Sequence, residues 1–301
     1  MIQNGRGGLQ SASSITNGSC QSLPLPPMDE TCPISSSSIE KKNLKIEFHI
    51  GDCLLLFPAI PDGSVDMIFA DPPYNLDKQY YSVSDKNGNY FQWMEEWIRE
   101  CYRVLRPGGS AYFMNAPKNF GEQERVIRKV GFKIISYIIW MRRNPAPAKN
   151  VFPNIHSDIH FCEKPGGKKY FSSGEIIRYE LRRADNLIGK DHRPYDVWID
   201  IPKLVPGFMA QSEVVLKEGT TAMVLPNQLP EKLVRRCILA STKPGDLVLD
   251  PFLGVGTSMR AAGKEKRSFI GFEINEKYRA ILDEQRKQLK AYLKSSKLFF
   301  D

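Results

Sequence analysis

Val65-Asp66-Met67-Ile68-Phe69 runs directly into Ala70-Asp71-Pro72-Pro73-Tyr74-Asn75. The first five residues have the apolar composition of a strand, and two consecutive prolines end it. Neither proline has an N–H to donate, so their carbonyls face outward as acceptors only. A strand that stops this way places Asp71, the Pro72 carbonyl and the Tyr74 ring at the C-terminal edge of a sheet. Open α/β sheets bind their ligands at that edge. An acidic acceptor, a fixed carbonyl and an aromatic face together suit a flat base bearing an exocyclic amine. Taken alone, the tetrapeptide is also an ordinary proline turn with a capping Asp and a packed Tyr; the flanking chain separates the two readings.

Upstream, Lys45 to Ile50 alternates like a strand and ends at Gly51-Asp52. Cys53 to Ile60 reads as a short helix with Leu54, Leu55, Leu56 and Phe57 on its apolar side, and Pro61-Asp62-Gly63-Ser64 turns the chain into the strand before Asp71. Strand–helix–strand favours a parallel sheet. Downstream, Asn75 to Asn89 is polar and Tyr-rich, and reads as a mobile loop over the site. Helical spacing then runs from Phe91 to Leu105 through Trp93 and Trp97, both core residues, and stops at Pro107-Gly108-Gly109. A strand over Ser110 to Met114, a helix from about Lys118 to Val130 and a strand from Phe132 to Trp140 follow.

From Met141 to about Val224 the pattern is irregular. Arg142, Arg143, Lys149, Lys168, Lys169, Arg182 and Arg183 stand among Tyr170, Phe171, Tyr179, Tyr195 and Trp198. Basic residues mixed with aromatics are what contacts to phosphates and bases require. A solvated insertion has the same composition, but its position beside the site favours nucleic acid. A formal net charge of +8 points to a polyanionic partner as well. His156 and His160 lie four apart in a strand-like context, so no metal is assigned. The six cysteines lack a Cys-x-x-Cys pair and read as reduced thiols of a cytoplasmic protein. No apolar run is long enough to span a bilayer, no signal pattern opens the chain, and residues 1–43 read as a disordered tail.

Regular pattern returns with a helix over Glu231 to Ser241 and a strand over Leu247 to Leu249. Asp250-Pro251-Phe252-Leu253-Gly254-Val255-Gly256-Thr257 comes next, then a small-residue helix and a strand ending in Glu273. A strand, a Gly-x-Gly loop, a helix and an acidic residue closing the next strand form a nucleoside-binding half. Thr257, Ser258 and Met259 follow Gly256, so the third glycine of the dinucleotide fingerprint is missing, and the loop has no P-loop Lys. A nucleoside without a pyrophosphate fits better, with S-adenosylmethionine the obvious one. Phe252 offers an aromatic face to a sulfonium, and Glu273 an acceptor for both ribose hydroxyls.

The two motifs together, Asp71-Pro72-Pro73-Tyr74 and Asp250 to Thr257, resemble those of the amino-methyltransferases that modify exocyclic amines of DNA bases. The resemblance covers roughly Leu44 to Tyr292. Catalytic motif first, basic insertion second and cofactor loop last is similar to the permuted β group, which includes bacterial restriction–modification and cell-cycle enzymes. It implies an α/β Rossmann-like domain over 44–301, its mostly parallel sheet flanked by helices on both faces, with an inserted target-recognition region at about 142–225. It implies S-adenosylmethionine-dependent, metal-free methylation of adenine N6 in double-stranded DNA by base flipping. Asp71 and the Pro72 carbonyl would accept the target amine, Pro73 would shape the turn, and Tyr74 would stack on the base. Phe252, Gly254, Gly256, Thr257 and Glu273 would hold the cofactor, with Asp250 near its methionine end and Asp52 at another cofactor-side position. Leu225-Pro226-Asn227-Gln228-Leu229-Pro230 matches the segment before the cofactor helix, although family members often carry other residues where Leu225, Asn227 and Leu229 stand. Asp rather than Ser at position 71 is the family's usual mark of adenine N6. The alternatives are cytosine-N4 or RNA adenine methylation, and a DNA-binding relative without turnover. A homodimer, a cognate restriction endonuclease and a nucleoid-associated location follow from the group alone.

Overall fold

The computed structural model describes residues 44–76, 79–80, 83–84, 88–142, 149–150, 152–180, 195–205 and 213–297. The expected N-terminal tail, residues 77–78, 81–82 and 85–87 of the loop expected after Asn75, and Arg143, Arg182 and Arg183 lie outside the described residues.

The first half of the chain contains β1 (Ile46–Ile50), α1 (Cys53–Leu56), β2 (Val65–Ala70), β3 (Gln79–Tyr80), β4 (Val83–Ser84), α2 (Tyr90–Val104), β5 (Leu105–Asn115), α3 (Pro117–Val130) and β6 (Lys133–Met141). The second half contains β7 (His156–Glu163), α4 (Ser173–Glu180), β8 (Val197–Trp198), α5 (Glu231–Ser241), β9 (Leu247–Asp250), α6 (Thr257–Lys264), β10 (Ser268–Glu273) and α7 (Arg279–Lys297). Eight strands form one sheet in the order β1-β10-β9-β2-β5-β7-β6-β8, and β3 pairs with β4 apart from it. The strands from β1 to β5 in that order are parallel, whereas β7 runs against both neighbours. The expected mostly parallel α/β sheet is the one observed.

β2 sits in the middle of this sheet. Met67, Ile68 and Phe69 are all buried because helices cover both faces, and a strand covered on both faces reads as an unbroken apolar run. β2 pairs with β9 through Met67–Val248 and Ile68–Leu249. Below them the Leu247 N–H donates to Asp66 Oδ2 at 2.9 Å, 181 positions away in sequence, while Arg106 Nε donates to Asp66 Oδ1 at 2.6 Å. Asp66 therefore fixes the register of β9 and β5 against β2, and the two motif turns emerge side by side at the opposite edge.

Three features depart from expectation. β5 begins at Leu105 and runs through Pro107-Gly108-Gly109 instead of stopping there. The Lys164 ammonium donates to the Tyr102 and Leu105 carbonyls at 2.6 and 2.7 Å, closing the end of α2 so that the strand follows at once. Gly108, at φ +75°, accommodates the returning chain; a Cβ there would lie 2.6 Å from the Lys168 carbonyl oxygen. Second, the region expected to be irregular contains β7, inserted between β5 and β6. Its alternation is hidden because Ser157, Asp158 and His160 are polar yet buried. Third, around α1 it is Cys53, Phe57 and Ile60 that are buried, while Leu55 is exposed.

Candidate active site

Asp71 leaves the end of β2 half-buried, and the Tyr74 hydroxyl donates to its Oδ1. Burial, reinforced by the Asp71 charge, holds the Tyr74 hydroxyl well above its usual pKa, so it remains a donor. Pro72 and Pro73 have no N–H to donate within this turn, and side chains from elsewhere hold it. Tyr90 Oη donates to the Pro73 carbonyl at 2.9 Å, and Asn119 Nδ2 to the Tyr74 carbonyl at 2.8 Å. Asn119 Nδ2 also reaches Asn115 Oδ1 at 3.0 Å, and Asn115 Nδ2 donates to Tyr90 Oη at 3.2 Å. Lys118 caps the Asn75 carbonyl at 2.8 Å. Tyr90, Asn115, Lys118 and Asn119 carry no motif. A faint sequence signal was present in Asn115, a polar residue at the end of an apolar strand.

Across the cleft, the loop after β9 is built around two carboxylates. Asp250 Oδ1 accepts the Phe252 N–H at 2.8 Å and its Oδ2 accepts the Ser258 hydroxyl. Burial, with smaller contributions from Asp71 and Glu273, pushes Asp250 up to about 7. Glu273 Oε2 accepts the Gly254 N–H at 2.8 Å and Oε1 the Asn275 N–H at 2.8 Å; burial pushes it up to about 7 as well. Gly254 and Gly256 have φ of +57° and +86°, the left-handed region glycine enters freely, and a Cβ on Gly254 would press on Leu225 at 3.0 Å. Thr257 opens α6, its hydroxyl 3.4 Å from the Leu229 carbonyl. The Phe252 ring meets Trp97 and Trp93 edge-on at centroid distances of 5.1 and 5.7 Å. Asp52 caps α1 by accepting the Leu54 N–H at 2.9 Å, and Gly51 N–H joins that turn to the Glu273 carbonyl at 2.8 Å.

The structure thus gathers Asp71, Asp250, Phe252, Gly254 and Thr257 around one cleft, with Leu225, Asn227 and Leu229 completing its wall. The basic residues divide. Arg142 follows β6 at the same edge, its N–H on the Ile155 carbonyl at 2.6 Å and its Nη2 on the His156 carbonyl at 2.7 Å; Lys149 is exposed. Lys168 and Lys169 lie at the opposite edge, because β7 carries the chain back along the sheet before they occur. Lys169 Nζ covers the Phe161 and Phe171 rings at 5.1 and 5.8 Å, and these lysines are not assembled with Asp71. His160 is buried on β7, stacked 3.7 Å from Phe120 and bonded to Gln123 at 3.0 Å, and burial lowers its pKa to about 4. His156 faces Asp158 at 3.5 Å. Among the described residues no group of three or more His, Cys, Asp or Glu side chains is placed to hold a metal ion.

A family model described as DNA methylase matches residues 65–284. The type II methyltransferase M.BamHI of Bacillus amyloliquefaciens is 35% identical over 265 residues, 83% of this chain but 60% of that protein, so the chain spans about three-fifths of that relative. The DNA adenine methyltransferase YhdJ of Escherichia coli K12 is 35% identical over 243 residues, 76% of this chain and 78% of that one. Among solved structures, TTHA0409 from Thermus thermophilus, complexed with S-adenosyl-L-methionine, superposes with a TM-score of 0.58 at 22% identity, covering 81% of this chain and 94% of that one. The cytosine-N4-specific PvuII DNA methyltransferase does so with a TM-score of 0.60 at 19% identity, covering 81% and 87%. Both share the fold.

Proposed function

Because the chain belongs to the DNA methylase family, we propose that it methylates the N6 amine of adenine in double-stranded DNA, using S-adenosylmethionine and a base turned out of the duplex. The observation that carries this reading is the pairing of β2 with β9, which brings an amine-accepting turn and a nucleoside-type glycine loop to one cleft. Adenine rather than cytosine is supported by Asp at position 71 and by the name of the YhdJ relative.

The loop fits the cofactor. Its left-handed glycines keep the wall free of side chains, and each Glu273 oxygen, already holding one loop N–H, retains a second acceptor position for a ribose hydroxyl. Phe252 and Asp250 stand at the cleft, the latter tied into the loop. When bound, S-adenosylmethionine supplies an activated methyl on a sulfonium. Asp71 and the Pro72 carbonyl accept the two amine hydrogens, which draws the nitrogen lone pair out of conjugation and aims it. Displacement of this kind is chiefly a positioning problem. Extruding the base costs a few kcal/mol, which stacking on Tyr74 partly offsets.

DNA is held by parts of 142–225 that lie outside β7. Arg142 and Lys149 flank the catalytic edge, and Arg142 Nε is buried with no partner among the described residues. Lys168 and Lys169, at the far edge, are left out of that interface. A homodimer, a cognate restriction endonuclease and a cytoplasmic, nucleoid-associated location extend this reading on the resemblance alone. No helix among the described residues is long and apolar enough to cross a membrane.

The direct test is methyl transfer from labelled S-adenosylmethionine to mixed-sequence duplex DNA, followed by nucleoside analysis. N6-methyladenine is expected; N4-methylcytosine would move the target while keeping the chemistry, and no product with cofactor bound would reject duplex DNA as substrate. Cofactor binding supplies a second expectation. With Glu273 pushed up to about 7, its acceptor form is lost as pH falls. Affinity for S-adenosylmethionine should weaken from pH 8 to pH 6, approaching about tenfold per unit below the pKa. Glu273→Gln should bind weakly with a shallower profile, the remaining pH dependence coming from Asp250, which titrates in the same range. A wild-type affinity that does not change with pH, measured calorimetrically, would remove Glu273 from ribose binding.

A further inference from the structure

We propose that Tyr90, Asn115 and Asn119 are positioning residues for methyl transfer, holding the Pro73 and Tyr74 carbonyls so that the Pro72 carbonyl is the one presented to the target amine. This inference rests on the methyltransferase reading above. The motif turn offers three successive carbonyls, and neither Pro72 nor Pro73 has an N–H with which to stabilise it. Tyr90 takes the Pro73 carbonyl at 2.9 Å and Asn119 the Tyr74 carbonyl at 2.8 Å. Among the described residues the Pro72 carbonyl accepts no hydrogen bond.

The direction of every bond in this network is dictated by one backbone group. The Ala116 N–H donates to Asn115 Oδ1 at 2.8 Å, which fixes the orientation of the Asn115 amide. Asn115 Nδ2 must then face Tyr90 Oη, at 3.2 Å, so the Tyr90 oxygen accepts there and its only proton goes to the Pro73 carbonyl. Asn115 Oδ1 likewise turns the Asn119 amide nitrogen inward at 3.0 Å, leaving its second hydrogen for the Tyr74 carbonyl. The three residues come from the first turn of α2, the end of β5 and α3, and are 2%, 0% and 4% exposed. Burying three polar side chains is costly unless all are satisfied. Their bonds converge on the turn that bears Asp71. Because a displacement of about 1 Å can cost on the order of 100-fold in rate, a turn held from outside in this way is a catalytic device as much as a structural one.

Tyr90→Phe keeps the ring and deletes the proton that, among the described residues, reaches the Pro73 carbonyl. Asn119→Asp keeps the shape and removes the donor to Tyr74 unless the new carboxyl is protonated. Both are tested in the full chain, with kcat measured on duplex DNA at saturating S-adenosylmethionine, together with KM for DNA, cofactor Kd and Tm. Tyr90→Phe should lower kcat about tenfold or more, with KM and Kd within about twofold and a modest fall in Tm, because the buried Asn115 amide loses its acceptor while the chain stays folded at the assay temperature. Asn119→Asp should be impaired at pH 8 and recover in part as pH falls towards 6, because the protonated carboxyl has one hydrogen to donate where the amide nitrogen has two. A wild-type kcat in Tyr90→Phe, or a loss that vanishes when corrected for the folded fraction, would overturn the inference; Tyr90→Phe decides even where Asn119→Asp does not fold. Wild-type protein inactive on any DNA would instead remove the proposed function itself.

Discussion

Asp71→Ala is expected to reduce methyl transfer by on the order of 10²–10³-fold while leaving affinity for S-adenosylmethionine within about threefold. Asp71 is a half-buried carboxylate at the end of β2, and on the proposed reading it would receive an amine hydrogen as the nitrogen develops positive charge. The proposed cofactor contacts would lie on the β9 and β10 side, in a loop pinned by Asp250 and Glu273, and the substitution leaves those bonds intact. Unfolding would not explain the loss. Burial, with Asp71 adding to it, raises Asp250 to about 7, so the folded chain holds that proton more tightly than the unfolded chain does. Stability from this group is therefore present at low pH and lost as pH rises towards 7 and beyond. Removing the Asp71 charge relieves part of that repulsion but takes the acceptor from the buried Tyr74 hydroxyl, and the Tm of Asp71→Ala at pH 8 should stay close to the wild type. A variant that turns over normally would remove Asp71 from the mechanism; one that melts early would point to a structural role instead.

The parts of this molecule that were legible in the sequence are those where local chemistry punctuates a buried run. Val65 to Ala70 and Leu247 to Asp250 are apolar strands ended by proline or glycine, and both motif turns lie where such strands must end, at the carboxyl edge. β7 was legible only as a strand-like context around His156 and His160, because a strand containing Ser157, Asp158 and His160 has little apolar alternation; His160 Nδ1 is bonded to Gln123, which arrives from α3. Pro107-Gly108-Gly109 signals a stop in isolation, yet serves here for the close approach of chain from Lys164 onward. Composition flagged Lys168 and Lys169 as readily as Arg142, but charge carries no information about which edge of a sheet a residue reaches, and the reversal of β7 decides it. Tyr90, Asn115 and Asn119 acquire meaning only when α2, β5 and α3 meet at the catalytic turn.

Tyr74→Ala should slow transfer by about 5- to 150-fold, the equivalent of the roughly 1–3 kcal/mol that one aromatic–base stack contributes, whereas Tyr74→Phe should stay within about fivefold of wild type. The ring, half-buried against the core at the mouth of the turn, is the surface an extruded base would lie on, and only alanine removes it. The hydroxyl has two opposed effects. Its bond to Asp71 Oδ1 orients the carboxylate, and the same bond occupies an acceptor site that the proposed target amine would also use. Deleting it loosens Asp71 and frees that site at once, so a small net change is expected. Since burial keeps the Tyr74 hydroxyl protonated, Tyr74→Phe should leave the pH dependence of transfer where it was. Once the target site is mapped, 2-aminopurine placed at the methylated position reports extrusion directly. Its fluorescence on binding should fall in Tyr74→Ala and persist in Tyr74→Phe. Equal losses of rate in the two variants, with extrusion intact in both, would shift the role of Tyr74 from the ring to the hydroxyl, making it a positioner of Asp71 rather than a platform for the base.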